Sequence, residues 1–271
     1  MKNKIFFLWI FSFLFTVFIA YYQRTTGPTY PVRGHVEIGG QRVKYKLIRT
    51  HGGENDATVV LKNIGESISG EIKYKRFGTD DDWTVVQMNR DGSDLKALLP
   101  HQPPAGKLMY YMTLKSGDVS VLVNDEPAVI RFKGDVPAWV LIPHIIFIFT
   151  AMLMSTRTGL DAITRGKNTY RYAWITLVTV FVAGLILGPV VQKYAFNAYW
   201  TGWPFGQDLT DNKTLVAFIF WAIATWRLSK NPENRAWPIV AMSVLILVFL
   251  IPHSMFGSSL DYGSGQIQTG R

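Results

Sequence analysis

The stretch Ala138–Ser155, AWVLIPHIIFIFTAMLMS, is apolar and follows a largely polar part of the chain. Eighteen residues of α-helix extend about 27 Å, which is close to the roughly 30 Å thickness of a bilayer's hydrocarbon core. The stretch therefore predicts a membrane-spanning helix at this boundary.

Four further apolar stretches are long enough to suggest membrane spans, and they lie on both sides of the first. They are Ile5–Tyr22, Tyr172–Phe196, Thr214–Leu228 and Trp237–Phe256. Five spans place the two termini on opposite sides of the membrane. The predicted organisation is an N-terminal anchor at 1–22, an extracytoplasmic β-domain at 23–136, a four-helix transmembrane bundle at 137–256 and an extracytoplasmic tail at 257–271.

The net charge of +9 is concentrated in the segments that flank the predicted spans on one side. Nine basic residues lie on that side against two acidic ones, Asp161 and Glu233, so this side carries +7 of the total. The basic residues are Lys2, Lys4, Arg157, Arg165, Lys167, Arg171, Arg227, Lys230 and Arg235. This is the positive-inside pattern, and it predicts a cytoplasmic N-terminus in a bacterial inner membrane. No basic stripe remains for a nucleic-acid partner.

The first span has two interpretations, because Lys2 and Lys4 precede an apolar run as they do in a cleavable signal peptide. The run is long for a signal core, and Phe18-Ile19-Ala20 lacks the small residue expected three positions before a cleavage site. We favour an uncleaved anchor. The topology of the remaining spans is the same in either case.

Residues 23–136 contain short stretches in which apolar and polar residues alternate, as they do in half-buried β-strands. Val32–Ile38 and Val43–Leu47 flank Gly39-Gly40, a pair suited to the positive φ angles of a two-residue hairpin turn. The alternation predicts further strands at Thr58–Lys62, Ile68–Phe77, Trp83–Arg90, Leu95–Leu99, Lys107–Lys115, Val119–Val123 and Ala128–Lys133. Nine strands separated by turn residues predict an antiparallel β-sandwich.

Four of these stretches follow one another in a recognisable order of residue types. Glu71–Phe77 ends in a charged hairpin, Trp83–Val86 is led by tryptophan, Leu98–Pro100 reaches a proline turn, and Lys107–Met112 bears tyrosines. This order resembles a fibronectin type III or immunoglobulin-like module. The resemblance implies a β-sandwich that holds, spaces or binds another protein or a glycan. The chain has no cysteine, which excludes the disulfide that joins the sheets of antibody domains.

The tetrapeptide Leu-Ile-Pro-His occurs twice, at Leu141–His144 and at Leu250–His253, each time in a predicted span. Both imidazoles are predicted in the outer leaflet, where a polar ring is costly and usually has a partner. Together they can ligate a haem b iron, or hold a transition metal with Met255 or Asp208 as a third ligand. They can also carry protons, or each can donate a hydrogen bond to a carbonyl freed by its neighbouring proline or extend to the membrane interface. We favour the structural role.

The outer segment Tyr199–Asp211, between the third and fourth predicted spans, is rich in aromatic residues. The three that predict an interface are Trp200, Trp203 and Phe205. They form either an aromatic belt at the lipid headgroups or a lid over the histidines, with Asp208 or Asp211 orienting an imidazole. Asp211 is also well placed to cap the next helix.

The remaining motifs narrow the function. The chain lacks phosphate-binding glycine loops, metalloprotease, haem-attachment and hydrolase signatures. Few carboxylates or arginines lie in the predicted spans, which disfavours an ion-coupled transporter. Thr201–Gly206 and Asp208–Lys213 resemble segments of bacterial membrane proteins, which implies no particular activity. We expect a non-enzymatic accessory or scaffolding subunit that binds an extracytoplasmic protein. The alternatives are a haem or metal redox protein and, third, a small-solute permease.

Overall fold

In the computed structural model, which describes residues 2–252, 255 and 257–269, the chain forms two compact units. The helical unit comprises Met1–Pro28, Val136–Ser258 and Thr269–Arg271, and the strand unit comprises Thr29–Asp135 and Ser259–Gln268. The mixture of helices and β-sheets agrees with the sequence-based prediction. His253 lies outside the described residues.

The strand unit contains thirteen strands within the described part of the chain. They are β1 Val32–Ile38, β2 Gln41–Leu47, β3 Thr50–Gly52, β4 Ala57–Leu61, β5 Ile68–Arg76, β6 Thr84–Gln87, β7 Asn89–Asp91, β8 Asp94–Leu99, β9 Lys107–Ser116, β10 Val119–Leu122, β11 Ala128–Lys133, β12 Ser259–Leu260 and β13 Ile267–Gln268. The largest sheet has six strands in the order β3-β11-β9-β5-β6, with β10 also paired to β9. A three-stranded sheet has the order β4-β8-β7, and β1–β2 and β12–β13 are two-stranded.

The predicted hairpin at Gly39-Gly40 is confirmed. Strands β1 and β2 pair antiparallel from Val32 opposite Leu47 to Ile38 opposite Gln41. The two glycines have φ angles of 56° and 73°. A two-residue turn with positive φ at both positions matches the twist of the flanking strands, and glycine adopts it without a steric penalty.

The Asn124 side chain fills the gap between the two strands that pair with one edge of β9. Strand β9 pairs along its length with β5, whereas its other side pairs first with β11 and then with β10. Between these two partners, the buried Asn124 side chain accepts from the Met112 N–H at 3.0 Å and donates to the Tyr110 carbonyl at 3.2 Å. The side-chain amide thus satisfies backbone groups that would otherwise be buried without partners.

The sheets of the strand unit enclose one hydrophobic core. Side chains from the six-stranded sheet, the three-stranded sheet and the β1–β2 hairpin belong to a single buried cluster. Tyr110 is fully buried there, and its hydroxyl donates to the Ile48 carbonyl at 2.9 Å. Its largest members are Tyr110, Phe132, Leu47, Leu61, Ile68, Ile72, Leu95, Leu99, Leu108 and Met112. Each fully buried Leu or Ile contributes about 1.5–3 kcal/mol relative to exposure.

The single strand predicted at Trp83–Arg90 is wrong, because the segment divides at Met88. Strand β6 belongs to the six-stranded sheet and β7 to the three-stranded one. The Met88 N–H donates to the Gly70 carbonyl at 2.7 Å, and the buried Met88 side chain lies where a Cβ on Gly70 would be. The chain crosses between sheets at this point, which alternation along one strand cannot reveal.

The C-terminal segment Ser259–Gln268 forms a small hairpin that belongs to the strand unit. The Leu260 N–H donates to the Ala105 carbonyl at 3.0 Å, and the Tyr262 hydroxyl accepts from the Lys107 N–H at 3.0 Å. The Arg76 guanidinium lies 4.9 Å from the centre of the Tyr262 ring, within cation–π range. The chain therefore returns to the strand unit after passing through the helical unit.

The helical unit consists of six α-helices and one π-helical segment among its described residues. They are α1 Lys2–Thr26, α2 Ala138–Ile163, α3 Thr169–Val180, the π-helix Phe181–Leu187, α4 Gly188–Phe196, α5 Leu209–Lys230 and α6 Ala236–Leu250. Three continuous helical segments are long and apolar enough to cross a membrane: Asn3–Thr26, Ala138–Ile163 and Thr169–Phe196. Helix α6 is apolar but shorter, and α5 carries charged residues in its first and last turns.

The π-helix lies directly before Pro189. Proline has no N–H, so the Leu185 carbonyl four residues earlier loses its α-helical donor. The Gly188 N–H instead reaches back five residues to the Ala183 carbonyl, which is the wider π-helical pattern. At Gly184, a Cβ would overlap the Thr214 side chain of α5. The glycine therefore permits close approach of a neighbouring helix.

A buried ion pair joins α2 to the helices around it. Arg157 is 1% exposed, and its Nη1 donates to Asp161 Oδ1 at 3.1 Å. The guanidinium carbon lies 5.3 Å from the Trp9 ring of α1 and 4.9 Å from the Tyr172 ring of α3. Asp161 Oδ2 also accepts from the Thr169 hydroxyl at 2.9 Å. The pair therefore ties α1 and α3 to α2, which an isolated pair on one helix does not do.

Lys107 gives the strand unit a testable pH dependence. Burial, together with the smaller effect of the positive charge of Arg131 across the ladder, lowers the pKa of Lys107 to about 8. The folded state therefore binds this proton less tightly than the unfolded chain. The resulting cost is fully present below about pH 8 and is lost as the pH rises toward the ordinary pKa of 10.5. We expect Lys107→Met to raise the free energy of unfolding at pH 7 by on the order of 2 kcal/mol, with a smaller gain at pH 10.

Denaturant unfolding of the full-length protein in detergent measures both values. Lys62→Met is the matched control, because Lys62 is exposed and its replacement should change stability little at either pH. A gain for Lys107→Met that is equal at pH 7 and pH 10 contradicts the assignment.

Candidate functional site

The strongest candidate site in the helical unit is the aromatic loop, residues 197–208, between α4 and α5. Asn197 ends α4 in the left-handed region with φ of 60°, and its N–H donates to the Lys193 carbonyl at 2.9 Å. Asparagine tolerates this conformation better than most residues with a side chain, so it suits a helix end. The chain then leaves the helix axis and enters the loop.

Hydrogen bonds from the first turn of α5 hold the aromatic loop in one conformation. The Asp211 carboxylate accepts from the Thr201 N–H at 2.7 Å, and the Asn212 side-chain oxygen accepts from the Trp203 N–H at 2.6 Å. Within the loop, the Trp200 indole N–H donates to the Trp203 carbonyl at 3.0 Å. The first turn of α5 therefore serves as the anchor of the loop.

Asp208, not Asp211, is the N-cap of α5. Asp208 Oδ1 accepts from the Thr210 N–H at 2.8 Å, which satisfies one of the free donors at the start of the helix. Asp208 Oδ2 accepts from the Ser258 hydroxyl at 3.1 Å. The prediction that Asp211 caps this helix is wrong, because the helix begins at Leu209 and Asp211 turns toward the loop.

Lys213 links α5 to the end of α6. Its side chain is buried, and Nζ donates to the Ile251 carbonyl at 2.8 Å. Ile251 is extended, with ψ of 118°, which is the conformation that the following Pro252 favours. The helix therefore ends before Pro252, and the lysine ammonium lies at the negative end of the α6 dipole.

The three aromatic residues predicted as an interface all lie on the aromatic loop, and two are strongly exposed. Trp203 is 69% exposed and Phe205 is 83% exposed. Trp200 lines a shallow groove of about 390 Å³ together with them. The other lining residues are Leu185, Pro204 and Leu215. An exposed apolar surface on a hydrogen-bonded loop fits either a belt at the lipid headgroups or a binding surface.

His144 lies on α2 beside the π-helix. Its Nδ1 is 3.1 Å from the Ala183 carbonyl. A carbonyl can only accept, so Nδ1 carries a proton, and in the neutral ring the free lone pair is then on Nε2. Metal-ligating histidines are commonly oriented by such a bond. The same contact is also the structural role considered from the sequence, with the carbonyl supplied by another helix.

The predicted cofactor and metal site is only partly visible in the described residues. His253 falls outside them, so the pairing of His144 with His253 stays a prediction. Both carboxylate oxygens of Asp208 already accept hydrogen bonds. Among the described positions there is no group of three or more His, Cys, Asp or Glu side chains placed to hold a metal ion.

The sequence reasoning missed three polar residues that complete this part of the helical unit: Gln192, Lys213 and Ser258. The Gln192 side chain donates to the Thr201 hydroxyl, Lys213 donates to the Ile251 carbonyl, and the Ser258 hydroxyl donates to Asp208. Gln192 and Lys213 carried a detectable signal, because each is polar in or beside an apolar span. Ser258 carried none, since a serine near a helix end is common.

Comparison with models of known protein families finds no family that matches this chain, and comparison with curated proteins finds no significant match. Function is therefore inferred from the residues of the two units alone.

Removal of the Asp211 carboxylate should loosen the aromatic loop. Asp211→Ala leaves the Thr201 N–H without its acceptor, and we expect a loss of about 1–3 kcal/mol in the free energy of unfolding. Proteolysis within residues 197–208 should become faster. Asp82→Ala, at an exposed position, should change stability by less than about 0.5 kcal/mol. Equal effects of the two substitutions would show that the loop is not anchored by Asp211.

Proposed function

We propose that this chain is a bacterial inner-membrane protein that displays the strand unit outside the cytoplasm. There the strand unit binds a protein partner, and the chain acts as a non-enzymatic accessory or scaffolding subunit. The observation that carries this proposal is the return of Ser259–Gln268 to the strand unit. The chain thereby passes between the two units at four points, after Pro28, after Asp135, after Ser258 and after Gln268.

The connectivity of the chain supports four membrane crossings by residues 136–258, which connect the two parts of the strand unit. Residues 136–258 leave the strand unit and come back to it, so they cross the membrane an even number of times. Helix α2 and the segment Thr169–Phe196 account for two crossings. Helices α5 and α6 supply the other two in our proposal, and the basic residues then lie on the cytoplasmic side.

The packing of α1 supports an uncleaved anchor. Ser12, Thr16 and Ile19 are buried within the helical unit. Gln23 Nε2 donates to the Phe249 carbonyl near the end of α6 at 3.2 Å. Trp9 packs edge-on against Tyr172 with ring centres 5.7 Å apart. A signal peptide destined for cleavage has no need for such contacts along its length.

The order of the strands supports an immunoglobulin-like module. Strands β4, β8 and β7 correspond to the B, E and D strands of that fold, and β11, β9 and β5 correspond to G, F and C. The four pairings within these two groups, and the pairing of β5 with β6, are all antiparallel, whereas β3 joins β11 in parallel. Modules of this kind commonly present a sheet face or loops to another protein, which favours partner binding.

Photo-crosslinking in intact cells tests the proposed function. A photoreactive residue at Val85 or Thr113, on the six-stranded sheet, should give one discrete protein adduct. A deletion variant that lacks residues 30–134 and carries a photoreactive residue at Ser264 should give no adduct. Absence of any discrete adduct from several positions across the strand unit would contradict partner binding.

A second candidate function, a haem or metal redox protein, is favoured by one observation. The Ala183 carbonyl orients the His144 ring through Nδ1, and in the neutral ring Nε2 is then the nitrogen available to ligate iron or a transition metal. If our first proposal holds, purified protein should show no Soret band and no stoichiometric metal. A Soret band that disappears in His144→Ala would instead establish the redox function.

A further inference from the structure

The β1–β2 hairpin separates its side chains cleanly between its two faces. Ile38, Val43 and Leu47 are buried in the core of the strand unit. The alternate positions all face solvent and are exposed. They are Arg33, His35 and Glu37 on β1 and Arg42, Lys44 and Lys46 on β2. This exposed face, which we term the basic face, carries four permanent cations and one carboxylate.

The pairing of the two strands places one pair of like charges opposite each other on the basic face. Arg33 lies directly opposite Lys46, whereas His35 lies opposite Lys44 and Glu37 opposite Arg42. His35 Nε2 is also 2.8 Å from Arg42 Nη2, where only the guanidinium can donate. Like charges at directly opposed positions of an antiparallel pair are destabilising. These side chains are exposed and do not contribute to the hydrophobic core. Their arrangement therefore indicates that they bind an anionic surface outside the strand unit.

Chain length limits how far the basic face can lie from the membrane. Helix α1 is apolar enough to cross a bilayer and ends at Thr26, whereas β1 begins at Val32. Six residue steps span at most about 20 Å even when fully extended. Anionic headgroups attract basic residues over roughly one Debye length, about 10 Å at moderate salt. The hairpin is therefore tethered within reach of the headgroups beside α1.

We propose that the basic face binds anionic phospholipid headgroups of the membrane that α1 crosses. Arg33, Arg42, Lys44 and Lys46 donate to lipid phosphate oxygens, with the arginines suited to bidentate contact. Each basic residue near such a surface contributes roughly a fivefold gain in affinity. The interaction goes beyond the proposed function, because it needs no protein partner and occupies a different face from the six-stranded sheet.

Hydrogen–deuterium exchange of the full-length protein in lipid nanodiscs tests this interaction. The peptide Val32–Leu47 should exchange about threefold more slowly in discs with phosphatidylglycerol as about one third of the lipid than in phosphatidylcholine discs. The difference should vanish at about 0.5 M salt, where electrostatic attraction is screened. It should also vanish in Lys44→Gln/Lys46→Gln.

Lys62→Gln/Lys133→Gln is the matched control, because it removes the same charge from exposed positions outside the hairpin. This variant should keep the protection. Equal exchange in the two lipids, or protection that survives Lys44→Gln/Lys46→Gln, overturns the proposal. Protection in phosphatidylcholine discs by added polyglutamate, without any effect of phosphatidylglycerol, also overturns it and indicates an acidic protein as the partner. Loss of the crosslinked adduct without change in these exchange rates refutes only the proposed function.

Discussion

The return of the C-terminal hairpin to the strand unit constrains the rest of the structure. The Tyr262 hydroxyl bonds to the backbone of Lys107, and Leu260 pairs with Ala105, so the end of the chain is held by residues more than 150 positions earlier. Everything between Asp135 and Ser259 must therefore leave and re-enter the same body. For an apolar segment this is possible in a membrane only as helices, because helices satisfy their own backbone donors and acceptors.

Three buried charged residues of the helical unit lie where the helical backbone is incomplete. Asp208 supplies an acceptor at the start of α5, Lys213 supplies a donor at the end of α6, and Asp211 holds the backbone of the aromatic loop. A buried ion or carboxylate without partners would cost several kcal/mol. Since each of these groups has a backbone partner, their first role is to end helices and fix the loop, and any role in binding builds on that rigidity.

Much of the strand unit could be predicted because each strand is half-buried and alternates. The turn at Gly39-Gly40 and the strand Ala128–Lys133 were predicted to the residue, whereas β2 begins two residues earlier than predicted. The division at Met88 could not be, because its side chain continues the alternation while the chain changes sheets. Strands β12 and β13 are two residues each, too short for any period to be read, and they are held by tertiary contacts.

In the helical unit, the lengths of the apolar stretches predicted where helices occur but not the residues at which they begin and end. Asp208 rather than Asp211 is the N-cap because the Asp211 carboxylate accepts a hydrogen bond from the loop. That contact depends on tertiary structure, which the local sequence does not show. The π-helix is explained by Pro189, yet the sequence does not indicate how the freed carbonyl is satisfied. The partner of His144 proved to be Ala183 on another helix, a contact without a sequence signal.

The most direct test of this account is the sidedness of single cysteines in a chain that contains none. Cysteines at Lys62 in the strand unit, at Ser264 in the C-terminal hairpin and at Lys230 at the end of α5 all replace exposed residues. With a membrane-impermeant maleimide on intact spheroplasts, the account predicts labelling at 62 and 264 and none at 230 until the membrane is opened. Labelling of 62 and 264 from opposite sides would contradict it.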